Sequence, residues 1–273
     1  MNGHVILTDF LLSREAKLCS EDTLDFYQRM LTPFIESLQT DDITSQDVRR
    51  FLASVAKRGV SSATVHAHAR AIRAFVRFAH AEGYLANIFK VDMPKVHVRR
   101  MEVLTPAEIK KVLTVCNFRD KAIVLVLIDS GLRRAELWDL TWDDVDIKTG
   151  SILVRNGKGG KARTAVIGVK ARRALLKWRM KAPDDNGRIF NLTGSGLASA
   201  MERISKSSGV KIGCHKCRRS FATMALRSGI NLIALQRLLG HSTLDMVRVY
   251  IAQVDEDLLQ AYRDHSPMDR FLN

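Results

Sequence analysis

Residues 145–168 read VDIKTGSILVRNGKGGKARTAVIG, and along them the three- and four-residue spacing of apolar side chains that marks the neighbouring segments stops. β-favouring residues alternate instead with two turn clusters, KTG and NGKGGK, which predicts three short antiparallel strands. The chain on both sides is helical in pattern. The expected class is therefore mainly α with a small antiparallel β-sheet, an α+β fold.

Downstream of the strands, helices are expected at about 170–181, 196–207, 215–228, 231–239, 243–251 and 255–262. Upstream, LTPAEIKKVL carries a strong helix start: Thr105 as N-cap, Pro106 at the first helical position and Glu108 to complete a capping box. Two helices follow it before the period changes. Further back, Leu24, Tyr27, Leu31, Phe34, Ile35 and Leu38 form one apolar stripe. Val65, Ala69, Ile72, Phe75, Val76 and Ala79 form another, opened by Ser62 as cap and closed by Gly83. With SQDVRRFLASVAKRG between them, they predict a helical bundle. The stretch 86–103 loses the period and holds Pro94. The expected organisation is a helical domain over 1–90, a linker over 91–102 and a second domain over 103–273.

The chain has 273 residues and a formal net charge of +14. The charge is uneven: 12 basic residues face 11 acidic ones up to Lys95, and 31 face 18 beyond it. Such an excess favours a polyanion such as nucleic acid, with a solvated basic face as the bland alternative. In SSATVHAHARAIRAFVRFAHAEG, Arg70, Arg73 and Arg77 recur at three- and four-residue steps, which suits either a phosphate backbone or a simple wetted face. No apolar run is long enough to span a membrane, and the N-terminus lacks the basic start, apolar stretch and cleavage site of a secretory signal. A cytoplasmic, nucleoid-associated protein is expected. Four cysteines, Cys19, Cys116, Cys214 and Cys217, are too scattered for a disulfide framework. Cys214 and Cys217 make a CxxC, but with no partner motif at zinc spacing they read as helix-face thiols, and no metal is expected.

Three further stretches carry chemistry. In SGLRRAEL, residues 130–137, Gly131 ends a helix, and Glu136 stands three residues after Arg133, able to brace its guanidinium. In GCHKCRRSFATMALRSG, His215 and Arg218 project from one face near a helix start, where an anion is favoured. In LLGHSTLDMVRVY, residues 238–250, Gly240 ends a helix, His241 lies in the turn and Tyr250 lies on the next short helix, where packing alone would account for it.

Taken together, SGLRRAEL, GKGGKAR, HKCRRSFAT and LGHSTLDMVRVY, in this order after LTPAEI, resemble the tyrosine site-specific recombinases of the phage integrase family. The resemblance covers essentially the whole chain. It implies that Arg133, Lys158, His215, Arg218 and His241 surround a scissile phosphate that Tyr250 attacks, with Glu136 in support. Lys161, Arg163 and Arg219 are expected to touch DNA beside them. Departures from the family pattern, Cys217, Arg219 and Val247, bear on packing and subfamily, not on the reacting groups.

The implied activity is cutting and rejoining of DNA strands through a 3′-phosphotyrosine, without metal, cofactor or ATP. Two guanidiniums fork onto the non-bridging oxygens, where a metal would otherwise be wanted, and favour the phenolate of Tyr250. Lys158, at the tip of a hairpin turn, is the expected general acid for the departing 5′ oxygen, with Lys161 competing. The implied partner is double-stranded DNA with specific recombination sites. The implied assembly is a monomer when free and a homotetramer in the synapse, its C-terminal tail docking on a neighbour, with packing back on its own domain as the alternative. A separate arm-site-binding domain is not expected. The alternatives are a type IB topoisomerase-like activity, a non-enzymatic DNA-binding regulator, and a metal nuclease built on Asp139, Asp143, Asp144 and Asp146.

Overall fold

A computed structural model describes residues 3–40, 42–96, 102–155, 162–182 and 187–240. The chain divides into two compact units, Met1–Arg99 and Arg100–Asn273. No helix among the described residues is long and apolar enough to cross a membrane.

The first unit is a four-helix bundle of α1 (Gly3–Glu15), α2 (Glu21–Glu36), α3 (Ser45–Lys57) and α4 (Ser62–Ala81). Helix α4 packs against each of the other three, because its apolar residues cover more than one stripe. Phe10 is fully buried and meets Tyr27, Phe75 and Phe78 edge-on. Helix α3 starts on a capping box in which Thr44 and Asp47 satisfy one another's backbone N–H groups. The cap of α4 is Ser61, whose hydroxyl accepts from the Thr64 N–H, one residue before the expected Ser62. Helix α1 has no counterpart in the sequence reading: Val5 and Leu12 remain exposed while Ile6, Leu7 and Phe10 are buried, so its apolar residues do not form one clean stripe. The chain after α4 stays on this bundle as far as Pro94. Leu85 and Val91 are buried in the core, and the His66 ring nitrogen hydrogen-bonds the Pro94 carbonyl at 3.0 Å.

The second unit contains α5 (Pro106–Val115), α6 (Phe118–Ser130), α7 (Arg134–Trp138), a 3₁₀ turn (Trp142–Asp144), β1 (Ser151–Val154), β2 (Arg163–Val166), α8 (Val169–Arg179), α9 (Gly194–Ser208), α10 (Cys214–Arg227) and α11 (Leu232–Leu239). The capping box at Thr105 and Glu108 forms as expected. Helix α6 is the axis of this unit. Its KAIVLVLI run is apolar around most of the circumference, and α8 and α10 pack against it.

The fold is mainly helical with a small antiparallel sheet, but among the described residues that sheet has two strands, not three. Ser151 pairs with Val166, Ile152 with Ala165, Leu153 with Thr164 and Val154 with Arg163. The expected first strand reduces to one bridge between Val145 and Ile152. Asp146 accounts for this. Its carboxylate accepts from the Lys148 and Thr149 N–H groups and its carbonyl from the Gly150 N–H, so the chain reverses within four residues.

Candidate active site

The site gathers where α6 ends, α7 begins, β2 starts and α11 stops. Helix α6 terminates at Gly131 in the left-handed conformation, φ 63°. The chain then turns into α7 with Arg133 at its N-cap position. Glu136, almost fully buried, reaches back from the first turn: its carboxylate accepts from the Arg133 N–H at 2.7 Å and from Arg133 Nη1 at 2.6 Å. The expected brace between these residues is therefore in place.

Arg218 projects from the first turns of α10 and is 5 % exposed. Its Nη1 donates to the Gly131 carbonyl at 2.5 Å and its Nη2 to the Leu239 carbonyl at 2.6 Å. Arg133 Nη2 donates to the next carbonyl along, Gly240, at 3.1 Å. Arg163, at the head of β2, donates through Nε to the Leu238 carbonyl at 3.0 Å. Three successive carbonyls at the end of α11 are thus each held by a different guanidinium. A helix C-terminus carries unsatisfied carbonyls and partial negative charge, so three cations can converge there with less mutual repulsion. Arg133 and Arg218, far apart in sequence, are brought to adjacent acceptors directly before His241.

His215 lies on the exposed side of α10's first turn. Partial withdrawal from water, with the charges of Arg219, Arg218, Arg134 and Arg133, pushes its pKa below the ordinary histidine value. This favours the neutral ring, which has one N–H to donate. Burial pushes the Glu136 carboxyl up, but hydrogen bonds and charge from Arg163 and Arg133 outweigh it and hold the group at about 2. Glu136 is ionised throughout the physiological range.

Arg219 and Arg134 are exposed, and both lie near enough to His215 to act on its charge. Sequence reasoning passed over Arg134, although the RR dipeptide in SGLRRAEL offered the signal. Arg163 is placed with the supporting groups: its side chain is 9 % exposed and its guanidinium forks onto Glu136 at 2.6 and 2.7 Å. In the first unit, Arg70, Arg73 and Arg77 are all exposed on α4, and Arg70 lies over the Phe26 ring. Lys158, Lys161, His241, Tyr250 and the expected helices at 243–251 and 255–262 lie outside the described residues.

The two motifs with competing readings have local explanations. Asp144 accepts from the Thr141 N–H and hydroxyl and pairs with Arg155 at 2.5 Å, while Asp146 holds its own turn. These are cap and turn carboxylates. Cys217 is buried in the core and Cys214 partly so, and burial pushes both thiols up, keeping them protonated.

Two family models match the chain: the phage integrase family over residues 102–257, more than half of its length, and the phage integrase N-terminal SAM-like domain over residues 9–83. The chain belongs to the phage integrase family. It is similar to the tyrosine recombinase XerA of Thermococcus kodakarensis, with 35 % identity over 81 % of each chain. It is also similar to the tyrosine recombinase XerC of Alcanivorax borkumensis, with 31 % identity over 94 % of this chain and 91 % of that one. Among solved structures, a lambda integrase dimer bound to a COC′ core site superposes with a TM-score of 0.76 at 20 % identity, covering 92 % of this chain and 95 % of that one. At that identity the superposition speaks for the fold, the same mainly helical architecture in a family member.

Proposed function

We propose that the chain is a site-specific tyrosine recombinase that cuts and rejoins double-stranded DNA through a 3′-phosphotyrosine. The observation that carries the reading is the convergence of Arg133 and Arg218 on adjacent carbonyls immediately before His241. Similarity to curated tyrosine recombinases over most of the chain supports it. A topoisomerase-like activity or a non-enzymatic regulator has no corresponding support.

In this reading Tyr250 Oη attacks the scissile phosphorus. A P–O bond to tyrosine forms, the bond to the 5′ oxygen breaks, and Lys158 gives that oxygen a proton. Negative charge gathering on the non-bridging oxygens meets Arg133 and Arg218, which are already oriented by carbonyl and Glu136 partners and need little reorganisation as the reaction proceeds. His215 and His241 add hydrogen bonds. The phosphotyrosine conserves the bond energy, so a 5′ hydroxyl from a second duplex reverses the step. Residues 1–90 form the core-site grip, with Arg70, Arg73 and Arg77 toward phosphate, residues 91–102 the connection, and 103–273 the catalytic domain. Its C-terminal tail links protomers in a tetrameric synapse.

Replacing Tyr250 with Phe removes only the phenolic oxygen. It should leave DNA binding nearly intact while abolishing SDS-resistant attachment. A Phe variant that still forms the adduct, or wild type that relaxes supercoils without producing joints between two sites, contradicts the proposal.

A further inference from the structure

The geometry points to Arg163 as a positioning residue: it neutralises Glu136, so that Glu136 can orient the Arg133 guanidinium without cancelling its charge toward the phosphate. This inference rests on the recombinase reading above and assigns a task to a residue that the sequence pattern suggested only as a DNA contact.

The strand register comes first. Arg163 shares a face of β2 with Ala165, which is fully buried, while Thr164 and Val166 face out. A lone arginine on the core-facing set needs a partner, and Glu136 supplies it through two parallel hydrogen bonds. The same carboxylate also serves Arg133, through its side chain and its backbone N–H. Two guanidiniums therefore share one carboxylate, and the cluster keeps one net positive charge. Without Arg163, Glu136 and Arg133 would form a neutral pair, and the guanidinium meant for phosphate would already have its counter-ion. In a site mostly withdrawn from water, that difference is poorly screened.

The second consequence is mechanical. Arg163 Nε holds the Leu238 carbonyl, and its side chain lies against Gly240, where an added Cβ would come within 2.6 Å of Arg163 Cδ and 3.0 Å of Nε. Gly240 thus gives Arg163 room to reach the turn that leads into His241. In sequence, Arg163 also stands two residues after Lys161, at the foot of the expected general-acid turn. One side chain ties β2, the Arg133 brace and the end of α11 together. Lysine could keep the charge but not the planar fork.

The test is single-turnover cleavage at saturating protein, on a duplex carrying the site recovered by adduct capture, normalised to protein that binds that duplex. Arg163→Met should leave DNA affinity within about threefold of wild type and slow formation of the covalent adduct on the order of 10²-fold. Glu136→Gln alone should also slow it, yet adding Glu136→Gln to Arg163→Met should raise the rate about tenfold above Arg163→Met, because the surplus negative charge is gone. Arg163→Lys, which keeps the counter-charge, should be faster than Arg163→Met. If the methionine variant does not fold, the same pair of measurements is made with Arg163→Gln. A double variant no faster than the single one makes Arg163 a scaffold residue only. A loss explained wholly by weaker DNA affinity makes it a direct DNA contact. Either result overturns the inference while leaving the recombinase reading intact; a wild type that forms no adduct overturns both.

Discussion

Replacing Gly131 with alanine probes the helix stop whose carbonyl holds Arg218. Gly131 has φ 63°, and a Cβ there would meet Phe221 Cδ1 at 2.4 Å, Phe221 Cε1 at 2.9 Å and Leu239 Cδ2 at 3.0 Å. Left-handed backbone costs an L-residue about 1–2 kcal/mol, and forcing a methyl against a packed ring costs about 1–3 kcal/mol more. The sum is about 2–5 kcal/mol, which at a urea slope of about 2 kcal/mol per molar moves the midpoint down by about 1–2.5 M. All three tryptophans, Trp138, Trp142 and Trp178, lie in the second unit, so fluorescence follows that unit alone. The control is Gly209→Ala. It has nearly the same backbone, φ 65°, but its added Cβ meets only the flexible end of Lys111 at 3.6 Å, so it isolates the backbone part. Because the Gly131 carbonyl accepts from Arg218, the Gly131 variant should also cleave more slowly at temperatures where it remains folded. A Gly131 variant no less stable than the Gly209 variant would refute the packing argument.

Other outcomes follow from the same structure. Glu136 is held at about 2 against an ordinary 4.5, so the stability it contributes is complete above about pH 4.5 and is lost as pH falls toward 2. Urea midpoints at about pH 5 and pH 3 should therefore fall further for wild type than for Glu136→Gln; parallel falls would place the acid sensitivity elsewhere. DNA affinity should weaken on the order of 10³- to 10⁵-fold between about 50 and 200 mM salt if some 6–10 phosphates are contacted, and a flat response would deny that the +14 charge serves DNA. Lys158→Ala should cleave ordinary DNA poorly but a substrate with sulfur at the bridging 5′ position almost as fast as wild type, since a thiolate needs no proton to leave. Arg133→Ala and Arg218→Ala should stay slow on both substrates. Rescue confined to Lys161→Ala would move the general acid three residues along.

Much of the fold was legible where local chemistry sufficed. The Thr105 capping box, the Gly131 helix stop and the α8 to α11 spans follow from nearest-neighbour rules that tertiary context leaves alone. Helix α1 was not legible, because its burial is decided by which bundle face it meets and not by one stripe. The third strand failed for a different reason. Strand propensity at Val145 and Ile147 lost to an aspartate able to close a turn on its own backbone. In the site, the pairing of Arg133 with Glu136 could be read from a three-residue step. The carbonyls of α11 as their shared anchor could not, because main-chain acceptors leave no trace in sequence. Arg163 lies between these cases: alternation along β2 places it on the inner face with Ala165, a sign that it was not a simple surface cation.

The most direct test of the proposed reaction is to capture the covalent intermediate and read both of its ends. The protein is incubated with fragmented DNA from its own source genome and stopped with SDS. Attached fragments are sequenced, and the modified peptide is identified by mass spectrometry. One recurring DNA site is expected, joined through its 3′ phosphate to Tyr250, with a free 5′ hydroxyl on the other strand end. Attachment through a 5′ phosphate, or to any residue other than Tyr250, would contradict it.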